Sequence, residues 1–265
     1  MRTLIHETAV VHPSAALGRD VEIGPYAVIG EGVRLGDGVR IGAHAFIEHA
    51  ELGARVRVFP SAAIGTPPQD TKYQDEPTRA IVGEDTVLRE FVTIHRGSKA
   101  TGITRLGRGC YLMAYAHVAH DCELGDEVTM ANGATLGGHV EVGAGAVLSA
   151  LLAVHQFCRI GRLVMIGGGA MVVQDIPPFT MAQGDRARLA GLNLVGLRRR
   201  GFDAKTVAAI KAAYRTAFSS GLVMAEAVTR LETDAVPEVR EFADFLKRAK
   251  RGVCRPGRTV AGADA

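Results

Sequence analysis

The chain has 265 residues, 32 of them glycine, with no tryptophan, 5% aromatics and a formal net charge of +3. A core so poor in large rings must be thin, and a charge so close to balance gives no reason to expect a nucleic-acid partner. The opening stretch MRTLIHETAVVHP contains no apolar run of signal-peptide or membrane length, which predicts a cytoplasmic protein without an integral membrane segment.

In chain order, the first feature is an aliphatic ladder with a step of six residues, from Ile5 through Val11, Leu17, Ile23, Ile29, Leu35 and Ile41 to Ile47. Shorter runs follow at Leu52, Val58, Ile64 and at Val82, Leu88, Ile94. From Leu106 to Val172 the ladder then makes 12 apolar hits in succession. At 47% hydrophobic residues such a run has a chance probability of about one in ten thousand for a chosen phase. Six is even, so a strand's inward side chains stay on one face; it is also too long for a helical turn. Glycine recurs just after the ladder residue, for instance at 24, 42, 107, 125, 137 and 161, and marks a corner in each hexad. Two residues before the ladder position the chain prefers Ala, Cys or Val. One large and one small inward residue per hexad describe a narrow, filled core.

This pattern resembles the hexapeptide-repeat β-helices, in which three hexads close one triangular coil of 18 residues and the coil is left-handed. The resemblance implies a mainly β fold, a left-handed parallel β-helix over residues 1–190. The ladder supplies 26 hexads, between eight and nine coils. At roughly 4.8 Å per coil the prism is about 40 Å long. Cys110, Cys122 and Cys158 take the small inward phase and read as core filler, with Cys122 and Cys158 two coils apart and beyond disulfide reach. Cys254 carries no signal.

Two segments interrupt the ladder. The polar, Pro-rich Thr66–Arg79 must be extruded as a loop, and it carries Asp70 and Lys72; Gly97–Thr104 is a shorter insertion. Long insertions in a regular repeat are more often functional than accidental. Pro177 and Pro178 end the regular strands. From about Asn193 the period turns helical, giving a cap domain over 191–255. Asp203 is the N-cap of a helix over Ala204–Ser219, with Val207, Ile210, Tyr214 and Phe218 as its apolar stripe. A second segment spans Met224–Leu231, and Pro237 opens a third. These three helices are expected to cover the end of the prism, with a disordered tail over 256–265. Basic residues cluster at Arg198, Arg199, Arg200, Lys205, Lys211 and Arg215, and again between Lys247 and Arg255. They read either as solvated helix faces or as a docking surface for an acidic partner.

The ladder also orients the histidines. His117, His120, His139 and His155 occupy no inward phase, and modulo 18 they converge on one side of the prism within about 10 Å of one another. Convergence from separated positions is a site signal. His120, Gly138 and Gln156 share one column, so a glycine amide is stacked beside a potential base. Acyl transfer needs that pairing: a base for the attacking group and a fixed donor for the oxyanion. Asp121 is placed to orient the imidazole, although strand alternation makes the contact indirect. Zinc is the rival chemistry. The hexapeptide carbonic anhydrases use a His-x4-His pair, and here the partner of His117 would be Cys122, which points inward; no metal is expected.

The stretch His117-Val118-Ala119-His120-Asp121-Cys122 carries a closer resemblance. With it go Ile94-His95-Arg96-Gly97, Gln69-Asp70-Thr71-Lys72-Tyr73, Val154-His155-Gln156-Phe157 and the Arg198-Arg199-Arg200-Gly201-Phe202 run. Together they resemble the UDP-N-acetylglucosamine O-acyltransferases, a homotrimeric family that begins lipid A synthesis in Gram-negative bacteria. The resemblance implies transfer of a 3-hydroxyacyl group from acyl carrier protein to the glucosamine 3-hydroxyl of UDP-N-acetylglucosamine, in sites between neighbouring prisms. No cofactor is implied beyond the phosphopantetheine that carries the acyl donor. His120 would be the general base, with Asp121 beside it and the Gly138 amide as oxyanion donor. Asp70 and Lys72 would meet the sugar and diphosphate. His95, His117, His139, His155 and Gln156 would line the substrate, and Asn193, Arg199 and Arg200 would serve the nucleotide and the carrier protein. Gly168 and Arg186 would lie along and at the end of the acyl chain, whose length neither residue tells. The family often has an acidic residue two after the asparagine, where this chain has Val195. The rival readings are an N-acyltransferase for a 3-amino sugar nucleotide, and a non-catalytic scaffold, which leaves the histidine column unexplained.

Overall fold

The computed structural model describes residues 3–257. Twenty-six short strands, β1 (Leu4–Ile5) to β26 (Met171–Val172), wind a left-handed parallel β-helix with three flat faces. The first face starts at Leu4, the second at Val10 and the third at Ala16, and each strand pairs with the one a coil later, as in Val118 with Leu136 and Leu136 with Val154. The hexad count is therefore the strand count. Ladder residues such as Ile29, Ile64, Leu106, Leu112 and Leu136 are fully buried, and Ala27, Ala45, Ala116 and Ala134 fill the narrow corners beside them. Each fully buried Leu or Ile contributes about 1.5–3 kcal/mol, and because a coil touches only its neighbours these contributions add nearly rung by rung.

The ends depart from the expectation. Ile5 is 47% exposed, and Val11 and Leu17 are only partly buried, because among the described residues no coil covers the first one from below. At the other end, β27 (Thr180–Gln183) adds parallel to the first face, and β28 (Arg188–Leu192) folds back antiparallel on it. Ala182, Ala187, Leu189 and Cys254 join the prism core there, so this hairpin and the C-terminal segment close the prism. The helices pack outside them, with only Tyr214 and Phe218 touching that core.

Four helices follow rather than three: α1 (Leu194–Arg199), α2 (Ala204–Phe218), α3 (Met224–Leu231) and α4 (Pro237–Lys247). Asp203 caps α2, accepting from the Thr206 N–H at 2.6 Å, and Pro237 opens α4. Phe179, Ile210, Val228 and Phe242 form a second core between the helices and the last coils. Of the expected tail over 256–265, residues 256 and 257 are described, and they are joined to the prism. Cys254 N–H donates to the Asp175 carbonyl at 2.8 Å and Gly257 N–H to that of Leu189 at 3.3 Å; residues 258–265 lie outside the described ones. No described helix is long and apolar enough to cross a membrane.

Both insertions are tighter than the sequence suggested. Thr66 and Arg79 end strands, and Ile103–Leu106 is a strand, leaving loops at 67–78 and 96–102. At the root of the first loop Gly65 has φ +78°, and a Cβ there would sit 1.8 Å from the Glu48 carbonyl oxygen, so only glycine fits. Buried Arg96 holds this root, donating to Glu48 Oε1 and the Gly65 carbonyl at 3.0 Å each and to the Tyr73 hydroxyl at 2.8 Å. Both loops leave the prism along the edge between the second and third faces.

Candidate active site

That same edge carries the histidines. His117 stands on the second face, where its Nδ1 meets the Thr93 hydroxyl at 2.7 Å. His120, His139 and Gln156 occupy the turns just beyond it in successive coils, and His155 precedes Gln156. His120 Nδ1–H donates to Asp121 Oδ2 at 2.6 Å. That bond leaves Nε2 as the lone-pair nitrogen, the form a general base needs. The contact exists because Asp121 has φ +61°, a left-handed turn that swings its carboxylate back over the preceding imidazole.

Asp121 is anchored from the second insertion. Its Oδ1 accepts from the Ser98 N–H at 3.0 Å, the Thr101 N–H at 3.3 Å and the Thr101 hydroxyl, and its own N–H donates to the Thr104 hydroxyl at 2.8 Å. Burial alone would raise the Asp121 carboxyl, but the hydrogen bonds from His120, Thr101 and Ser98 outweigh it and hold the group well below the usual carboxylate range. Asp121 is thus a fixed anion bonded to the His120 ring. Ser98, Thr101 and Thr104 are the residues the sequence did not single out. Replacing Thr101 by valine removes one charge-assisted bond while keeping the shape. Turnover should then fall about tenfold with both KM values within twofold, and Thr101→Ser should restore it. Equal kinetics for the Val and wild-type proteins would deny the loop this role.

Gly138 lies against His120, as the column predicts, but the space above it is not open: the imidazole fills it. A Cβ on Gly138 would lie 2.7 Å from His120 Cε1 and Nε2. At the matching turn position in other coils a side chain caps the free amide, as Asp37 does for Arg19 N–H and Asp126 for Arg108 N–H, both at 2.8 Å. Above Gly138 the next coil offers Gln156, and among the described residues the Gly138 N–H donates to no protein acceptor. A bare amide thus stands beside the His120 imidazole. Gly138→Ala, whose backbone needs no positive φ, should fold normally yet push the ring off Asp121. A loss of about 10²-fold in kcat with an unchanged melting temperature is expected; activity near wild type would mean that the ring tolerates the displacement.

The other histidines are arranged around this pair. His139 meets His120 edge-on at 5.1 Å, stacks on Phe157 at 4.4 Å and brings its Nε2 to 3.6 Å from Asp121 Oδ2. Burial lowers its pKa, partly opposed by the Asp121 and Asp70 carboxylates. Asp70 also accepts from the Lys72 N–H at 3.0 Å, and Lys72 itself is exposed. His155 donates from Nδ1 to the Gln156 carbonyl at 3.1 Å. His95, expected to line the substrate, is 5% exposed and packs edge-on behind His117 at 4.8 Å. Burial, with His117 and His120 nearby, drives its pKa down to about 4, so it backs the site as a neutral ring.

Other candidates lie elsewhere on the chain. Gly168 is exposed at the edge between the first and second faces, and Arg186 is exposed in the turn of the β27–β28 hairpin. Arg200 pairs with Glu127 at the edge between the third and first faces, and Arg199 is exposed on α1. Asn193 is 7% exposed with both polar atoms in use: Oδ1 caps α1 through the Gly196 N–H, and Nδ2 donates to the Leu163 carbonyl, each at 2.9 Å. In this chain it caps a helix beside Arg199 and Arg200.

His120, Asp121 and His139 could together offer ligand atoms within 4.8 Å of one another, a trio the sequence did not suggest. Ligand atoms on a tetrahedral zinc stand about 3.4 Å apart. The 2.6 Å His120–Asp121 separation fits a shared proton, and Asp121 Oδ1 is committed to Ser98 and Thr101. The trio as arranged fits an acid–base pair better than a chelate.

Comparisons with known proteins bear on the fold and the family. The family model for the bacterial transferase hexapeptide (six repeats) matches residues 14–49 and 103–138, and that for domain 2 of UDP N-acetylglucosamine O-acyltransferase matches 175–254. A relative from Thermodesulfovibrio yellowstonii, named acyl-[acyl-carrier-protein]–UDP-N-acetylglucosamine O-acyltransferase, is 48% identical over 95% of this chain and 99% of its own. The LpxA structure from Acinetobacter baumannii superposes with a TM-score of 0.93 at 35% identity, over 95% of this chain and 100% of that one. The LpxA of Bacteroides fragilis does so with a TM-score of 0.92 at 38% identity, with the same coverage. With a relative 48% identical over almost the whole length of both chains, the protein belongs to the UDP-N-acetylglucosamine O-acyltransferase family.

Proposed function

We propose that the protein transfers a 3-hydroxyacyl group from acyl carrier protein to the glucosamine 3-hydroxyl of UDP-N-acetylglucosamine, the first step of lipid A biosynthesis, in the cytoplasm. The observation that carries the reading is the His120–Asp121 pair set against the bare Gly138 amide. His120 Nε2 takes the proton of the sugar hydroxyl as its oxygen attacks the thioester carbonyl carbon. The Gly138 N–H donates to the oxyanion that forms, and Asp121 stabilises the imidazolium. The carbon–sulfur bond then breaks, and the leaving thiolate takes the proton from His120, leaving an ester and a free thiol. No metal or redox group enters these steps, and phosphopantetheine serves only as the donor's carrier.

Around this centre, Asp70 and Lys72 take the sugar and diphosphate, Lys72 as a point charge. His117, His139, His155 and Gln156 line the sugar and pantetheine, and Gly168 and Arg186 bound the acyl chain. The exposed Arg199 and the basic residues around α1 and α2 receive the acidic carrier protein. Arg200 lies on a different edge from His120, which suits a homotrimer whose sites are completed by the neighbouring prism. Exposed Phe91 and Tyr115, stacked at 4.9 Å, and Leu151, 75% exposed, favour such a contact.

The deciding assay offers 3-hydroxyacyl carrier proteins of several chain lengths to UDP-N-acetylglucosamine and to its 3-amino analogue. An O-acylated product from the natural sugar nucleotide is expected. Acylation of the amino analogue alone would move the reading to an N-acyltransferase, and no transfer at all would leave the histidine edge without this function.

A further inference from the structure

The C-terminal segment lies against the top of the histidine edge. Asp175 N–H donates to the Gly252 carbonyl at 2.9 Å and Cys254 N–H returns to the Asp175 carbonyl at 2.8 Å, so the chain at 250–254 is fixed to the last coils rather than loose. Below it opens a cavity of 460 Å³ that Asp121, His139 and Phe157 share with Arg248, Lys250 and Arg251. Its remaining charges are graded along the prism. Arg159 is matched by Glu141 at 3.2 Å, and Arg248 is paired with Asp244 on its own helix. That leaves Glu123 at the lower end and Lys250 and Arg251 at the upper end, both exposed and without an acidic partner among the described residues. An elongated ligand lying in this cavity would therefore meet an acid beside the dyad and two cations three coils higher.

We propose that Lys250 and Arg251 form a phosphate-binding site that holds a substrate's phosphate while its reacting end lies at His120. The inference rests on the acyl-transfer reading. Two bound groups carry that chemistry: the phosphodiester of the donor's pantetheine arm and the diphosphate of the sugar nucleotide. Guanidinium and ammonium groups differ in how they bind phosphate, Arg251 as a fork and Lys250 as a point charge, so removing both is the clean perturbation.

The test compares acyl-pantetheine with acyl-4′-phosphopantetheine as donors, in the wild type and in the Lys250→Ala, Arg251→Gln double variant. Two charge-assisted bonds predict that the phosphate lowers the donor KM by roughly tenfold or more in the wild type. The variant should lose that preference while keeping its rate on acyl-pantetheine and its melting temperature. A raised KM for the sugar nucleotide, with the donor preference intact, supports the site and assigns it to the diphosphate. Both KM values within twofold of wild type overturn it. Calorimetric titration of 4′-phosphopantetheine and of UDP into both proteins judges the site without turnover. Binding equal in wild type and variant overturns it, whereas a wild type that binds but forms no product from either donor counts against the acyl-transfer reading alone.

Discussion

Alanine in place of His120 should lower turnover by roughly 10²–10⁴-fold, the usual contribution of a positioned general base. The residual rate would come from the Gly138 amide and from substrate binding, neither of which needs the imidazole. The fold should survive, because the His120 side chain lies at a turn, 14% exposed, and is not part of the prism core. Single-turnover acyl transfer separates the chemical step from product release, and the defect should appear there in full. The variant's KM for the sugar nucleotide should stay close to wild type, since Asp70 and Lys72 are on a different loop. Loss of less than about tenfold, with normal melting, would mean that another group takes the proton.

The second large effect is expected from Asp121→Asn, a change of one atom. Asp121 Oδ1 accepts from Ser98 and Thr101, and Oδ2 accepts from His120 Nδ1–H. An asparagine satisfies the loop donors only with its oxygen, which turns its NH₂ toward His120. Nδ1 must then accept, the ring proton moves to Nε2, and the nitrogen that should abstract a proton already carries one. The same substitution in the serine-protease triad costs about 10⁴-fold by this tautomer error, and a loss of 10²–10⁴-fold is expected here. Asp121→Ala should be no better, because it leaves the Ser98 and Thr101 donors unpaired in a buried position. An Asn variant with more than a tenth of wild-type activity would show that His120 needs no orientation from Asp121.

The pH response follows with its sign. His95 has its folded pKa pushed down to about 4 from an ordinary value near 6.5. Between those values the unfolded chain binds the proton and the folded chain does not, so stability should fall as pH drops from about 6.5 towards 4. His95→Phe should flatten that slope in denaturant melts followed across this range. An unchanged slope would place the acid sensitivity elsewhere.

The fold was legible because one rule, a large apolar residue every sixth position, repeats 26 times, and each repeat is a strand of the prism. The histidine edge was legible for the same reason, since the period orients side chains as well as burying them. Three things did not follow from the period. The Asp121 carboxylate reaches His120 through a positive φ, which alternation does not reveal. Ser98, Thr101 and Thr104 act through a loop whose interior has no period, so nothing in their spacing points to a residue 17–23 positions ahead. His95 follows a ladder residue, where a corner glycine usually stands and side chains face outward. Here the strand runs on through it, pairing it with Thr66, and His117 packs against its ring. Cys254 lacked a signal because a few extended residues at the chain's end show no repeat, yet they cover the last coil.

The most direct measurement of the central claim is the tautomer of His120, read by ¹⁵N NMR of histidine-labelled protein and assigned by difference against His120→Gln. With Nδ1–H bonded to Asp121, the spectrum at neutral pH should show Nδ1 protonated and Nε2 as a bare lone pair, and Asp121→Asn should reverse the two. A proton on Nε2 in the wild type would contradict the account, because the nitrogen beside Gly138 could not then act as the base.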